Sequence, residues 1–194
     1  MTLQGFLSLA VQSVTAPRQV ARLLLSIDLS REALRTAFAL VIVLNAIVYA
    51  LSQILSGGAV PVLLASPVVF MVLQGATLAG TIAAIAAIGR GLGGAGRIED
   101  IALMMIWLQA LRLLAQLAIL LVLPLSPALG SALVGLATVL GIWIAAHFID
   151  EAHGFDNMWR AILTLVLGVL AVIVALSFLL TLAGVDPNQV TGYV

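Results

Sequence analysis

The chain has 194 residues, of which 63% are apolar and 8% charged, with zero net formal charge and no cysteine. Soluble domains carry roughly 25% charged residues, and a monomer of this size has too much surface to hide such an apolar excess from water. The composition excludes a water-soluble monomer, a disulfide scaffold, a disordered chain and a nucleic-acid-binding protein. It predicts an all-α, polytopic membrane helical bundle. The order of apolar and polar residues along the chain divides this bundle into five transmembrane helices and an amphipathic N-terminal arm.

A cytoplasmic amphipathic lead-in, 1–35, comes first. Apolar residues recur at the i, i+3, i+4, i+7 spacing of a helix from Leu3 to Val14. A second helix begins near Pro17, with an arginine side and an apolar side: Arg18 and Arg22, and Val20, Leu24 and Ile27. Two placements are open, because these helices can lie on the cytoplasmic leaflet or dock onto the bundle.

Five segments are long and apolar enough to cross a bilayer, which takes about 20 residues. They make up a transmembrane domain, 36–184, followed by a short external tail, 185–194. Ser66 and Ser126 each precede a proline, a pattern typical of a capped helix start. The predicted spans are 36–55, 67–88, 101–123, 127–148 and 159–183.

Arginines lie on alternate connections between the spans, and the other connections have none. Because basic residues are retained on the cytoplasmic side, the N-terminus is predicted to be cytoplasmic and the C-terminus external. The seven arginines are Arg18, Arg22, Arg31, Arg35, Arg90, Arg97 and Arg160.

Polar residues collect near the middle of the first three spans. Arg112 lies at the centre of the third, where an arginine costs about 2.5–3.5 kcal/mol on insertion scales, and no Asp or Glu lies inside any predicted span. Two interpretations are open: a layer that lines a cavity or ligand path, or contacts that join helices or protomers. This intramembrane polar layer comprises Asn45, Gln74, Gln109, Arg112 and Gln116.

A glycine-rich stretch joins the second and third spans. Its letters, from Gly91 to Gly96, match a dinucleotide-binding pattern, but it follows a transmembrane helix instead of a strand, so no nucleotide site is predicted. It is either a tight turn or, with its flanking arginines at a helix N-terminus, a site for a lipid phosphate. The candidate residues are Arg90, Gly93, Gly94, Gly96 and Arg97.

Histidine and acidic residues follow the fourth span. His147, Glu151 and His153 are weak candidates for a metal site, because a zinc site needs three or four convergent ligands. We expect no metal, no other cofactor and no enzymatic activity, since no nucleophile–base pair is evident.

Two acidic residues, Asp150 and Glu151, lie at the same helix end. The helix dipole disfavours carboxylates at a C-terminus. We therefore expect them to pair with an arginine of the cytoplasmic face: Arg90, Arg97 or Arg160.

Small residues form two adjacent ridges along the second span. Such ridges let helix backbones approach closely in lipid. They predict that this helix packs through its small residues and is central to the bundle. The ridges are Gly75, Ala79, Ala83 and Ala87, and Ala76, Gly80 and Ala84.

Several short motifs occur in order along the chain. They are Thr15–Arg18 before the first span, Gly93–Asp100 and Met105–Gln109 at the third, and His153–Phe155 before the last. With the five-span plan, they resemble the YIP1 family of small membrane proteins, as in a short bacterial-type member. The resemblance implies a non-enzymatic integral membrane protein. Eukaryotic members are associated with small GTPases and early secretory traffic through a long polar N-terminal region, which is absent from this lead-in.

The expected partners are membrane lipids, with a homo-oligomer and an unidentified membrane or cytoplasmic protein as open alternatives. The leading hypothesis is a protein that organises membrane or recruits partners. The alternative is a small carrier or channel for a solute, an ion or a lipid, which uses the polar layer around Arg112. Transporters often unwind a helix at the binding site, and no predicted span is broken in that way.

Overall fold

The structure, a computed structural model, describes residues 2–27, 29–56 and 66–182. The described residues form seven α-helices and no strand, which confirms the all-α class. Two short helices precede five long ones. They are α1 (Leu3–Thr15), α2 (Pro17–Leu25), α3 (Arg31–Ser56), α4 (Pro67–Gly91), α5 (Ile98–Val122), α6 (Pro127–His153) and α7 (Met158–Leu182).

The five long helices, α3 to α7, are each long and apolar enough to cross a membrane. At 1.5 Å per residue, 25 residues extend about 38 Å, which is more than the hydrocarbon core of roughly 30 Å. The helices therefore continue past the predicted apolar windows into the headgroup region: α3 already begins at Arg31, and α6 ends only at His153. The end of the fifth span and the predicted tail, 185–194, lie outside the described residues.

Both α4 and α6 begin at a proline, as the sequence predicts. The Ser126 hydroxyl accepts a hydrogen bond from the Leu129 N–H at 3.4 Å, whereas Ser66 makes no side-chain cap bond, so the predicted cap is wrong at Ser66. Gly154 ends α6 with a φ of +62°, a left-handed conformation that glycine adopts without steric cost.

The α4 helix is central, because it contacts all four of the other long helices. The predicted packing through its small ridges holds at Gly75 and Gly80, where an added Cβ would lie 3.2 Å from Ile42 Cδ1 and 3.8 Å from Val172 Cγ2. It is wrong at Ala79, Ala83 and Ala87, which are exposed. Larger side chains, including Ile85, are buried instead. The small residue that permits this packing lies on the neighbouring helix: a Cβ at Gly168 of α7 would lie 3.0 Å from Ile85 Cγ1.

Buried side chains are concentrated near one end of the bundle, where α3, α5 and α7 begin and α4 and α6 end. We call this end the arginine side and the other the opposite side. One apolar cluster joins the long helices around Ile85 and Ile101. A second cluster includes residues of the short helix α2, namely Val20, Ala21 and Leu24 with Met104, Ile144 and Phe148.

Candidate functional site

The N-terminal arm, α1 and α2, docks onto α5 and α6, and this decides between the two placements left open by the sequence. Val20 and Ala21 of α2 are at most 1% exposed. The indole Nε1–H of Trp107 on α5 donates to the buried Ser13 hydroxyl at 3.0 Å, and the Phe6 ring meets the Trp107 ring edge to face. The arm is therefore part of the folded core on the arginine side.

A buried carboxylate fixes the arm to the end of α6. The Arg18 guanidinium donates to Asp150 at 2.7 Å, and the Asp150 side chain is 3% exposed while that of Arg18 is 48% exposed. The Asn157 backbone N–H donates to the other Asp150 oxygen at 3.0 Å. A desolvated carboxylate is stable only with such donors, so Asp150 holds the arm, α6 and the α6–α7 turn together.

A second, more exposed pair lies one turn along α2. The Arg22 guanidinium donates to Glu151 at 2.7 Å. This hydrogen bond and the attraction of the carboxylate raise the pKa of Arg22. The predicted pairing of Asp150 and Glu151 with other arginines is wrong, because the docked arm brings its own two arginines, one helical turn apart, directly over them.

A third pair joins α3 to α5. The Arg31 guanidinium donates to the Glu99 carboxylate at 3.2 Å, and the Arg31 side chain is largely exposed. Exposed pairs of this kind contribute little to stability, because water and salt screen them. The Arg18–Asp150 contact is therefore the pair most sensitive to substitution.

The glycine-rich connection surrounds the imidazole of His153. A methyl group built on Gly89 would overlap this ring, and one on Gly94 would lie 2.6 Å from its Cδ2. The Ala95 backbone N–H donates to the His153 carbonyl at 3.0 Å, and the His153 ring stacks on Phe155. We call Gly89, Gly94 and Gly96 the glycine pocket, and its occupant is a histidine of the same chain.

His153 is 2% exposed. Its Nδ1 lies 3.2 Å from the Ile149 carbonyl oxygen, so Nδ1 carries the proton in that hydrogen bond. Its Nε2 is buried without a hydrogen-bond partner among the described residues.

The candidate lipid-phosphate residues lie around this pocket. Gly93 adopts a φ of +88° in the turn, Arg97 is the N-cap residue of α5, and the Arg90 Nε donates to the Ala86 carbonyl at 3.1 Å. Packing against His153 accounts for Gly94 and Gly96. Phosphate binding by Arg90 and Arg97 stays a prediction.

The candidate metal ligands are not brought together. In the described part of the chain, no group of three or more His, Asp or Glu side chains is placed to hold a metal ion. The His147 Nδ1 lies 2.8 Å from the Trp143 carbonyl oxygen, Glu151 pairs with Arg22, and His153 occupies the glycine pocket.

The intramembrane polar layer is spread along the bundle axis, since Gln109 and Gln116 are about 10 Å apart on α5. No hydrogen bond joins any two of its members in residues 2–27, 29–56 and 66–182. Asn45 is buried and donates to the Val41 carbonyl at 2.7 Å. The Oε1 atoms of Gln74 and Gln109 are buried without a partner. Arg112 is exposed and Gln116 is half-buried.

Two contacts of the structure were not predicted, although the residues that form them stand out in the sequence. Arg18 and Arg22 are spaced by one helical turn, and Asp150 and Glu151 are adjacent acidic residues at a helix end. Their pairing follows only if the arm docks. The glycine stretch and the segment His153–Phe155 are both motifs of the sequence, and the structure brings them into contact.

One of the comparisons with known proteins gives a match. The family model described as Yip1 domain matches residues 11–179, from within α1 to within α7. The match therefore includes the docked part of the arm, the glycine pocket and the polar layer. No curated protein and no solved structure matches the chain.

Proposed function

Because the chain belongs to the Yip1 domain family and has five helices able to cross a membrane, we propose that it is a non-enzymatic protein that recruits a partner to the cytoplasmic face of a bacterial inner membrane. The orientation rests on seven of the eight arginines, which lie at one end of the bundle, whereas Arg112 lies near the middle of α5. In this orientation, the arginine side is the cytoplasmic face, and the arm forms part of its surface.

The observation that carries this proposal is the buried Asp150 carboxylate with its donors from Arg18 and Asn157. A helix that only lay on the leaflet would not need a desolvated ion pair to the bundle. The pair holds α2 in one position, and α2 then presents a fixed surface. A preformed surface lowers the entropic cost of binding a partner protein.

The surface that α2 presents is mixed in character. Gln19 and Arg22 are exposed, and so are the apolar side chains of Leu23 and Ile27. Exposed apolar groups beside charged ones are typical of protein-binding surfaces. The proposal assigns this face of the arm to a cytoplasmic segment of the partner.

Site-specific photo-crosslinking in living cells tests the proposal. A photoreactive amino acid at Gln19, on the exposed side of α2, should yield a discrete protein adduct. The same group at Leu129, which is exposed near the opposite side, serves as the control and should yield only lipid adducts. Asp150→Ala should weaken the Gln19 adduct by releasing the arm. Lipid adducts alone from Gln19 would overturn the proposal.

One observation favours a carrier or channel as a second candidate function. The buried Oε1 atoms of Gln74 and Gln109 have no donor from the described residues, and such atoms normally bind water or a ligand. Proteoliposomes with the purified protein would then pass a solute, an ion or a lipid, and Arg112→Leu would stop this flux. An unchanged flux in that variant would exclude the polar layer as the path.

A further inference from the structure

Arg112 is a charged side chain deep in a membrane-length helix. It lies two residues past the midpoint of α5 (Ile98–Val122), which is about 3 Å along the axis. Its side chain is exposed, and no hydrogen bond or ion pair joins it to a described residue. In lipid, an unpaired arginine at this depth is costly and indicates a functional contact.

The face of α5 that carries Arg112 changes along its length. Met105 and Ile101 lie on this face two and three turns towards the arginine side, and both are buried. Ile119, two turns towards the opposite side, is only half-buried. Arg112 therefore marks the level at which this face of α5 leaves the core and becomes accessible to another molecule in the bilayer.

Lipid phosphates are poor partners for this guanidinium. The nearer headgroups lie at the opposite side, roughly 12–15 Å from a residue so close to the middle of the core. Side chains of a helix tilt towards its N-terminus, and the N-terminus of α5 is on the arginine side. The Cα–Cβ bond of Arg112 is therefore directed back towards the middle of the membrane, away from the nearer phosphates.

A second copy of this chain is also a poor partner. The acidic residues of the described chain all lie at the arginine-side ends of helices or in the connections there: Glu32, Glu99, Asp100, Asp150, Glu151 and Asp156. The described residues of a copy in the same orientation bring no carboxylate to the level of Arg112. If the two copies were related by a two-fold axis through this face, the second copy would place its own Arg112 beside the first. The two like charges would repel each other.

From this charge and depth we propose that the Arg112 face of α5 binds a transmembrane helix of a different protein, through an Asp or Glu near the middle of that helix. An ion pair in lipid offsets the free-energy cost of inserting both charges into the membrane. Arg112 on α5 therefore favours a helix with a central carboxylate over one without it. The inference rests on the proposed recruitment function and adds a membrane-embedded contact to it.

Designed transmembrane peptides test this contact directly. Leucine-rich peptides with a central Glu, Gln or Leu are mixed in liposomes at pH 8 with the full chain, and association is measured by energy transfer. The protein dye is attached to a cysteine introduced at an exposed position of the arm, because the chain has no native cysteine. The proteins compared are the otherwise unchanged chain, Arg112→Leu, Arg112→Lys and, as a matched control on the opposite, exposed face of α5, Leu121→Ala.

The central-Glu peptide should bind the unchanged chain and Leu121→Ala roughly 3- to 15-fold more tightly than Arg112→Leu. Arg112→Lys should retain part of this preference, and the central-Leu peptide should not distinguish the proteins. Equal binding of the Glu and Leu peptides, or an unchanged preference in Arg112→Leu, would overturn the contact. Rapid reaction of Arg112→Cys with a charged, water-soluble thiol reagent would also overturn it, since it would reveal water at the site.

These outcomes are separate from those of the Gln19 experiment. Loss of the peptide preference with a persistent Gln19 adduct would remove only the intramembrane contact. Loss of the Gln19 adduct with a preserved peptide preference would remove cytoplasmic recruitment and leave Arg112 as a helix-binding residue.

Discussion

The two ends of this bundle differ in how they are held together. On the arginine side, large side chains such as Phe148 and Ile85 are completely buried, and ion pairs join the arm to α6 and α3 to α5. Towards the opposite side, apolar residues such as Ile54 and Leu125 are 78% and 85% exposed. Lipid solvates such residues, so exposure there has no hydrophobic cost.

The difference separates two kinds of constraint. Polar and charged groups near water form contacts with strict geometry, such as the Asp150 contacts and the glycine pocket. The membrane-exposed helix ends need only be apolar and helical. Substitutions should therefore be far less tolerated on the arginine side, and Arg112, between the two regions, should matter for binding more than for folding.

Gly89→Ala should give the largest loss of stability. The added methyl group would overlap the buried His153 ring. Overpacking of this kind costs about 3 kcal/mol, which exceeds the gain of about 1 kcal/mol from replacing a helical glycine by alanine. The net loss in the free energy of unfolding should be about 2 kcal/mol, measured by reversible denaturation in detergent micelles.

Gly135→Ala is the matched control in the half of α6 that lies towards the opposite side. A Cβ at Gly135 meets no atom within 4 Å, so this variant should be as stable as the unchanged protein or slightly more stable. The double variant Gly89→Ala, His153→Ala should lose less than the sum of the two single losses, because removing the ring makes room for the methyl group. Equal losses from Gly89→Ala and Gly135→Ala would contradict the proposed difference between the two ends.

Arg18→Met should give the next largest loss. It keeps most of the side-chain volume but leaves the Asp150 carboxylate with only its Asn157 donor. Breaking a fully buried pair costs about 3–5 kcal/mol. Because Arg18 is half-exposed, water compensates in part, and we expect a loss of about 1–2 kcal/mol together with faster proteolysis of the arm.

The control for this loss is Arg31→Met, which breaks the exposed pair with Glu99. Screening by water makes such a pair weak, so the change in stability should be clearly smaller than for Arg18→Met. Comparable losses of stability from Arg18→Met and Arg31→Met would show that burial of the Asp150 carboxylate does not make its pair with Arg18 stronger than the exposed Arg31–Glu99 pair.

Arg112→Leu should change stability least. The substitution removes a charge that has no described partner and that costs about 2.5–3.5 kcal/mol to insert. In lipid, the thermal midpoint should be unchanged or slightly raised. A large loss of stability would mean that Arg112 holds helices together in the monomer, contrary to its assignment as a binding residue.

The helices of this protein were predictable because their causes are local. An uninterrupted apolar stretch, a proline at the start of α4 and a glycine after α6 act within a few residues, and the structure has helix boundaries near these positions. The packing face of α4 was not predictable in the same way. The small residue that permits close packing at Ile85, Gly168, lies on another helix, and the ring packed against Gly89 belongs to His153 of α6.

The candidate site was predictable only in its parts. The arginines of α2, the acidic end of α6 and the glycine stretch are each visible in the sequence. Their pairing depends on where the arm docks, and the amphipathic pattern of α2 suits a leaflet and a bundle equally well. Ser13 illustrates the difficulty: it is a polar residue of an amphipathic helix, yet it is fully buried where Trp107 donates to it.

The arm can recruit a cytoplasmic partner only if the arginine side of the bundle faces the cell interior. Single cysteines at Gln19 and at Tyr193 can be placed separately in this cysteine-free chain and treated in intact spheroplasts with a membrane-impermeant maleimide. We predict that the Tyr193 site is labelled at once and the Gln19 site only after lysis. Immediate labelling at Gln19 with protection at Tyr193 would place the arm outside the cell and contradict the proposed cytoplasmic recruitment.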